Sequence, residues 1–289
     1  MSLNRRDFFK TIGITGMTII GVNASGSNST SGDKTEFHGI LYDAFACVGC
    51  QSCEMACAEA HGLPAPEDEI KSGVLRKTSE KQRCAVNGYS TPQGDVFVRS
   101  QCMHCNEPAC AAACLTQAMY KTKEGPVIWR EDKCMGCRYC MISCPFDVPK
   151  FDYSSTNPKI QKCDMCYDRI IKGEQPVCVE TCGVALFYGT RRELIAEARK
   201  RIAENPGVYV DEIYGERVAG GTGYLYLAPV PHNEIGFNTT LQNSSYPALT
   251  KGFLYSVPSV FVLVPTLLLG IHEATKSNKQ KQTKDEEYE

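Results

Sequence analysis

The stretch Cys134-Met-Gly-Cys-Arg-Tyr-Cys-Met-Ile-Ser-Cys-Pro145 sets four cysteines, Cys134, Cys137, Cys140 and Cys144, within twelve residues. Three further groups surround it: Cys47-x2-Cys50-x2-Cys53-x3-Cys57, Cys102-x2-Cys105-x4-Cys110-x3-Cys114 and Cys163-x2-Cys166-x11-Cys178-x3-Cys182. Together they hold sixteen of the seventeen cysteines, an internal repeat of ligand sets. A cubane cluster needs four thiolates converging from different directions, and a C-x2-C-x2-C loop wraps three corners. The fourth cysteine, three residues on, begins a helix that carries it away from its own loop; in two-cluster ferredoxins it ligates the other cluster. Structural zinc takes two separated cysteine pairs instead. Disulfides between cysteines three apart in a tight loop are strained. The spacing therefore points to iron–sulfur chemistry, and sixteen ligands imply four 4Fe–4S clusters.

The rest of the chain excludes several function classes. Acidic and basic residues nearly cancel, 33 against 31, for a net charge of −2. No lysine- and arginine-rich run suggests a nucleic-acid surface. There is no nucleophile with a base, no glycine-rich nucleotide loop in a strand-to-helix context, and no C-x-x-C-H haem attachment. A chain of four one-electron centres without a catalytic constellation reads as a relay, not an enzyme. The reading from another class is a membrane-tethered zinc-binding scaffold, which is colourless where an iron–sulfur protein is brown. Cys84, alone in the charged Glu80-Lys-Gln-Arg-Cys84, is expected to be a free thiol, and His104, inside the second group, a supporting or surface residue.

Both ends read as addresses. Asn4-Arg-Arg-Asp-Phe-Phe-Lys10 leads into the uncharged, largely apolar Thr11–Val22, and Val22-Asn23-Ala24 offers small residues at a cleavage point; residues 1–24 read as a signal peptide. Twin arginines before two aromatics resemble the twin-arginine signal, with Asn4 where Ser or Thr is usual. Residues 25–37 follow as a linker, rich in Ser, Gly and Asn up to Lys34. Near the other end, 252–272 carries no charged side chain if histidine is neutral, and Phe253–Ile271 as a helix spans about 28 Å, close to the hydrocarbon thickness of a bilayer. A buried core helix is the alternative. Lys276, Lys279, Lys281 and Lys284 put the 273–289 tail in the cytoplasm by the positive-inside rule, and everything before Gly252 on the outer, periplasmic face. Thiols exported to an oxidising compartment would pair wrongly. The twin-arginine route, which moves folded, cofactor-bearing proteins, removes that hazard.

Cys137-Arg-Tyr-Cys-Met-Ile-Ser-Cys-Pro-Phe-Asp-Val-Pro149, Gln161-Lys-Cys-Asp-Met-Cys166 and Val177-Cys-Val-Glu-Thr-Cys182 resemble the iron–sulfur subunits of membrane-bound bacterial oxidoreductases. These are the four-cluster double ferredoxins of the dimethyl-sulfoxide reductase and formate dehydrogenase beta-subunit type. Gly189-Thr-Arg-Arg-Glu-Leu194 and Gly220-Gly-Thr-Gly-Tyr-Leu-Tyr-Leu227 extend the match, which is nearest to the exported, membrane-anchored branch of hydrogenase-2-type and high-molecular-weight cytochrome complexes. The resemblance implies an α+β, double ferredoxin-like fold over 38–190, an extension over 191–251 and one C-terminal transmembrane helix. It implies crossed ligand sets: Cys47, Cys50, Cys53 with Cys182; Cys163, Cys166, Cys178 with Cys57; Cys102, Cys105, Cys110 with Cys144; and Cys134, Cys137, Cys140 with Cys114. It also implies partners, namely a quinone-reactive integral membrane subunit and a periplasmic hydrogenase, molybdoenzyme or multihaem cytochrome c. Only the third group ends in Cys-Pro; Ala58, Leu115 and Gly183 follow the last cysteine of the others.

Between the groups, Asp95–Arg99, Pro126–Arg130 and Leu186–Gly189 read as strands. Thr190 and Glu193 form a capping box for a helix that presents Leu194, Ile195, Ala198 and Ile202 on one face and ends at Pro206-Gly207. The 44 residues between Cys57 and Cys102 read as a charged insertion, either a solvated loop or a partner-binding one. Tyr209–Pro231 is expected to form strands that dock on a partner or cover the domain.

Overall fold

The structure, a computed structural model, describes residues 36–66, 69–71, 73–154 and 159–285, without the side chains beyond Lys276. The expected signal peptide and nearly all of the linker lie outside these residues. Strand β1 (His38–Asp43) leads to helix α1 (Ser52–Ala60), then to the hairpin of β2 (Ala85–Thr91) and β3 (Gly94–Ser100). Helix α2 (Ala109–Ala112), strands β4 (Met119–Lys121) and β5 (Val127–Trp129), and helix α3 (Tyr139–Ile142) follow. Next come β6 (Lys150–Phe151), β7 (Ile160–Gln161), α4 (Tyr167–Ile170), α5 (Val177–Thr181) and β8 (Leu186–Thr190). The chain ends through α6 (Arg191–Glu204), β9 (Tyr224–Leu227) and the long α7 (Tyr246–Asp285).

The central sheet runs β8-β1-β9, with β1 antiparallel to β8 and parallel to β9. Side chains alternate across a strand, and the two faces bury different sets. Ile40, Tyr42, Tyr224 and Tyr226 point into the main core with Val86, Val98, Met103 and Met165. Leu41, Leu225 and Leu227 point the other way, onto Leu194 and Ala198 of α6. The segment expected to dock on a partner or cover the domain thus supplies a strand of the central sheet, and every residue of β9 is buried. The insertion also differs from a solvated loop: it contains the β2–β3 hairpin, whose Val86, Val96 and Val98 fill the main core.

Helix α6 starts where its capping box requires. Glu193 N–H donates to Thr190 Oγ1 at 3.4 Å, and the Glu193 carboxylate accepts from Thr190 N–H at 3.1 Å. Thr190→Ala removes the acceptor for an orphan N–H and should cost about 1 kcal/mol, whereas Thr190→Ser should be nearly neutral. Guanidinium denaturation of the anaerobic protein measures both; equal losses in the two variants would deny the cap its role.

Helix α7 carries a 31-residue span, Tyr246–Lys276, with a mean hydropathy of 2.0 in its most apolar window, and none of that window is buried within the protein. It is long and apolar enough to cross a membrane. A core helix would bury one face, and this one leaves Phe253, Leu254, Phe261, Leu263, Leu267 and Leu268 exposed. Its base is tied to the body: Ala219 N–H donates to Gln242 O and Gly220 N–H to Asn243 O, at 2.8 and 3.0 Å.

Candidate metal centres

The cysteine groups use two local backbone designs, each twice. In the first and third groups a glycine with positive φ precedes the second cysteine (Gly49, 71°; Gly136, 72°). A left-handed residue then follows it (Gln51, 57°; Arg138, 61°). In the second and fourth groups the left-handed turn falls one residue before the second cysteine, at His104 (48°) and Met165 (60°). A side chain in this region costs about 1–2 kcal/mol, so repeating it in each group marks a constraint that surrounding contacts impose. A third repeat lies three residues after the closing cysteine, at Gln117 (54°) and Asp147 (52°). That turn aims backbone N–H groups at sulfur. Met119 N–H donates to Cys114 Sγ at 3.3 Å, and N–H groups of Phe146 and Val148 reach Cys144. Met165 N–H donates likewise to Cys163 Sγ at 3.3 Å.

The helices bring the groups together in pairs. Helix α1 of the first group packs on α5 of the fourth, and α2 of the second on α3 of the third. The thiols consequently feel one another across groups. Cys140 is pushed up to about 11 by burial and then by the neighbouring charges of Cys134, Cys114 and Cys137. Cys105 is pushed up to about 12 by burial, then by Cys102 and Cys144. Burial and then the Tyr42 hydroxyl, which opposes it, dominate at Cys47, where Cys182 and Cys50 add to the upward shift. Burial raises Cys53 to about 12, with Cys182 and Cys178 among the groups that add to it. Burial likewise raises Cys178 to about 11, with Cys166 beside it. At Cys57 the hydrogen bond with Cys84 comes first and burial second, and Cys163 stands next to it.

These pockets fit a 4Fe–4S cluster. One cavity is lined by Cys114, Cys134, Cys137 and Cys140, with Met119, Trp129 and Ile160 as its apolar wall. Burial and crowding favour the protonated thiol at Cys105, Cys110 and Cys140 when no metal is bound. Ligation releases those protons, and cationic iron offsets the repulsion between thiolates. The N–H donors at Cys114, Cys144 and Cys163 are hydrogen bonds to sulfur of the kind that tune such a cluster. When bound, the cluster supplies reversible one-electron transfer; the chain supplies ligands, N–H donors and a dry apolar wall.

Several neighbours have roles the sequence did not disclose. Cys84 is a free thiol, as expected, but a buried one: it is 2% exposed and in hydrogen-bond contact with Cys57. His104 is fully buried and accepts a 2.9 Å hydrogen bond from Val127 N–H at Nδ1, bracing β5 against the second group. Burial, then the charges of Lys162 and Lys121, hold its pKa well below the usual histidine range, so it is neutral. Among the described residues His61, Asp164 and Cys166 bring ligand atoms within 4.8 Å of one another. Asp164 is already taken by His61 Nε2 (3.2 Å), Arg83 (2.7 Å) and Cys166 N–H (2.9 Å), which makes this trio a brace for the fourth group. Glu54, between Cys53 and Cys57, is fully buried and accepts from Arg76 through both oxygens, at 2.9 and 2.7 Å. Gln82 Nε2 and the Val86 N–H complete its shell.

Comparison with known proteins gives this geometry its family. A 4Fe–4S dicluster domain matches residues 95–191. The chain is 40% identical to a protein of Nitratidesulfovibrio vulgaris over 99% of this chain and 80% of that one. It is 30% identical to the hydrogenase-2 operon protein HybA of Escherichia coli O157:H7 over 96% of both chains. It is 33% identical to the B component of the anaerobic dimethyl sulfoxide reductase of Escherichia coli K12, over 66% of this chain and 97% of that one. The chain belongs to the ferredoxin-like iron–sulfur subunits of oxidoreductase complexes. As such an iron–sulfur subunit it transfers electrons and is not the catalytic component. Its mixed strand and helix architecture, with cysteine loops leading into short helices, is the ferredoxin-like arrangement that this role requires.

Proposed function

We propose that this iron–sulfur subunit is a membrane-anchored relay of four 4Fe–4S clusters facing the periplasm. It carries electrons between a catalytic or multihaem partner and a quinone-reactive integral membrane subunit. Residues 38–190 form two ferredoxin lobes. One holds clusters on Cys47, Cys50, Cys53, Cys182 and on Cys163, Cys166, Cys178, Cys57. The other holds them on Cys102, Cys105, Cys110, Cys144 and on Cys134, Cys137, Cys140, Cys114. Residues 191–251 pack on that core, 252–272 cross the bilayer, and 273–289 are the cytoplasmic tail.

The observation that carries this reading is the convergence of thiols from the paired groups, most directly in the cavity lined by Cys114, Cys134, Cys137 and Cys140. The unburied apolar span of α7 supports the anchor. Full-length similarity to a hydrogenase-2 operon protein, and partial similarity to a component of dimethyl sulfoxide reductase, support assembly with larger redox partners. The expected twin-arginine signal supplies the route by which loaded clusters reach the periplasm.

Membranes solubilised in gentle detergent under anaerobic conditions should release the chain together with an integral membrane subunit and a redox partner. Reductive titration should place about four electrons on each chain, one per cluster. Recovery as a solitary soluble monomer, or uptake of only two electrons, would refute the relay.

A further inference from the structure

Lys162 is a cation in the protein interior. It is 3% exposed, and its Nζ donates to the Val127 carbonyl, to the Cys163 carbonyl at 2.8 Å, and to Cys102 Sγ at 3.9 Å. Three acceptors around one nitrogen call for three N–H donors, which the ammonium has and a neutral amine does not. Its charge also acts on Cys110 and Cys144, in each opposing the upward push of burial. Cys102, Cys110 and Cys144 belong to one proposed ligand set, while the adjacent Cys163 belongs to another, so the ammonium lies where the two lobes meet. Asp164, the carboxylate that feels this charge, is held by His61 and Arg83.

A cluster that accepts one electron gains one negative charge, with no bond made or broken. A cation held close in a dry interior is poorly screened by solvent or salt. It therefore stabilises the reduced cluster more than the oxidised one. We propose that Lys162 is a positioning residue that raises the reduction potential of the cluster on Cys102, Cys105, Cys110 and Cys144, so that electrons passing between the lobes meet a charge-compensated centre. The inference rests on the four-cluster reading, and its test separates the two.

The test uses the full-length protein, purified anaerobically in detergent, as wild type, Lys162→Met and Lys162→Arg. Iron and sulfide analysis accompanies redox titration followed by paramagnetic resonance, with dithionite as reductant. Lys162→Met should keep its iron and sulfide yet lose at least tenfold in the reduction equilibrium of one cluster, a 59 mV fall in midpoint for a one-electron couple. Lys162→Arg should stay nearer the wild-type midpoint than the Met variant does. In wild-type protein carrying lysine labelled with 15N at Nζ, that same cluster signal should show a nitrogen coupling, and Lys162→Met should abolish it. Full cluster content with unchanged midpoints in Lys162→Met overturns the proposal, as does an Arg variant displaced as far as the Met variant. Should Lys162→Met fail to hold its clusters, the wild-type 15N coupling decides, and its absence overturns the proposal. Wild-type protein without iron and sulfide would instead refute the four-cluster reading itself.

Discussion

Alanine at Cys140 and alanine at Cys114 will each remove the same cluster, although 26 residues separate the two positions. Each variant should lose about four of about sixteen irons and the same paramagnetic signal, leaving the other three intact. Alanine at Cys144 lies only four residues from Cys140 on the chain, yet it should abolish a different signal, the one also lost on changing Cys105. The reason is geometric. Cys140 is the second residue of α3 and Cys144 follows its C-cap, Ser143, so that short helix carries the second away from the loop that holds the first. Cys140 feels Cys134, Cys137 and Cys114, whereas Cys105 feels Cys102 and Cys144. Were Cys140→Ala and Cys144→Ala to extinguish one common signal, each group would hold its own cluster and the crossed assignment would be wrong.

The second large effect comes from a buried ion pair. Glu54 and Arg76 have side chains 0% and 6% exposed and bond through both carboxylate oxygens. Glu54 lies on α1 between two cysteines, and through Gln82 and Val86 it fastens that helix to the hairpin segment. Glu54→Ala leaves the Arg76 charge buried without its partner, a loss of about 3–5 kcal/mol. Arg76→Met should cost a similar amount by stranding the carboxylate. The double variant Glu54→Ala/Arg76→Met should recover a good part of the loss, because no uncompensated charge remains. Denaturant midpoints of the anaerobic protein, followed by loss of cluster absorption, give the comparison. Additive losses in the double variant would show that the two side chains act separately.

What was legible in the sequence was local. Ligand spacing is a property of short loops, so all four groups could be read directly. The Thr190–Glu193 box and the β-favouring runs before Cys102 and Cys134 were equally short-range. What was missed depends on contacts between distant segments. The parallel pairing of Leu225 with Leu41 joins residues at opposite ends of the domain, and nothing in Tyr209–Pro231 alone distinguishes a central strand from a docking one. The insertion looks solvated when its charges are counted singly. Arg76 in fact neutralises Glu54, and Val86, Val96 and Val98 turn inward. Lys162 sits inside a cysteine motif but its role is hidden there, because a lysine shows its burial only once Cys102 is brought to its amine. The crossed ligand sets came from family resemblance, since spacing alone does not say which loop a fourth cysteine reaches.

Iron, acid-labile sulfide and zinc measured per chain on the anaerobically purified full-length protein bear most directly on the central claim. About sixteen irons and about sixteen sulfides, with negligible zinc, are expected from four cubane clusters. Zinc without sulfide, or about eight irons with half the cysteines open to alkylation, would contradict the account.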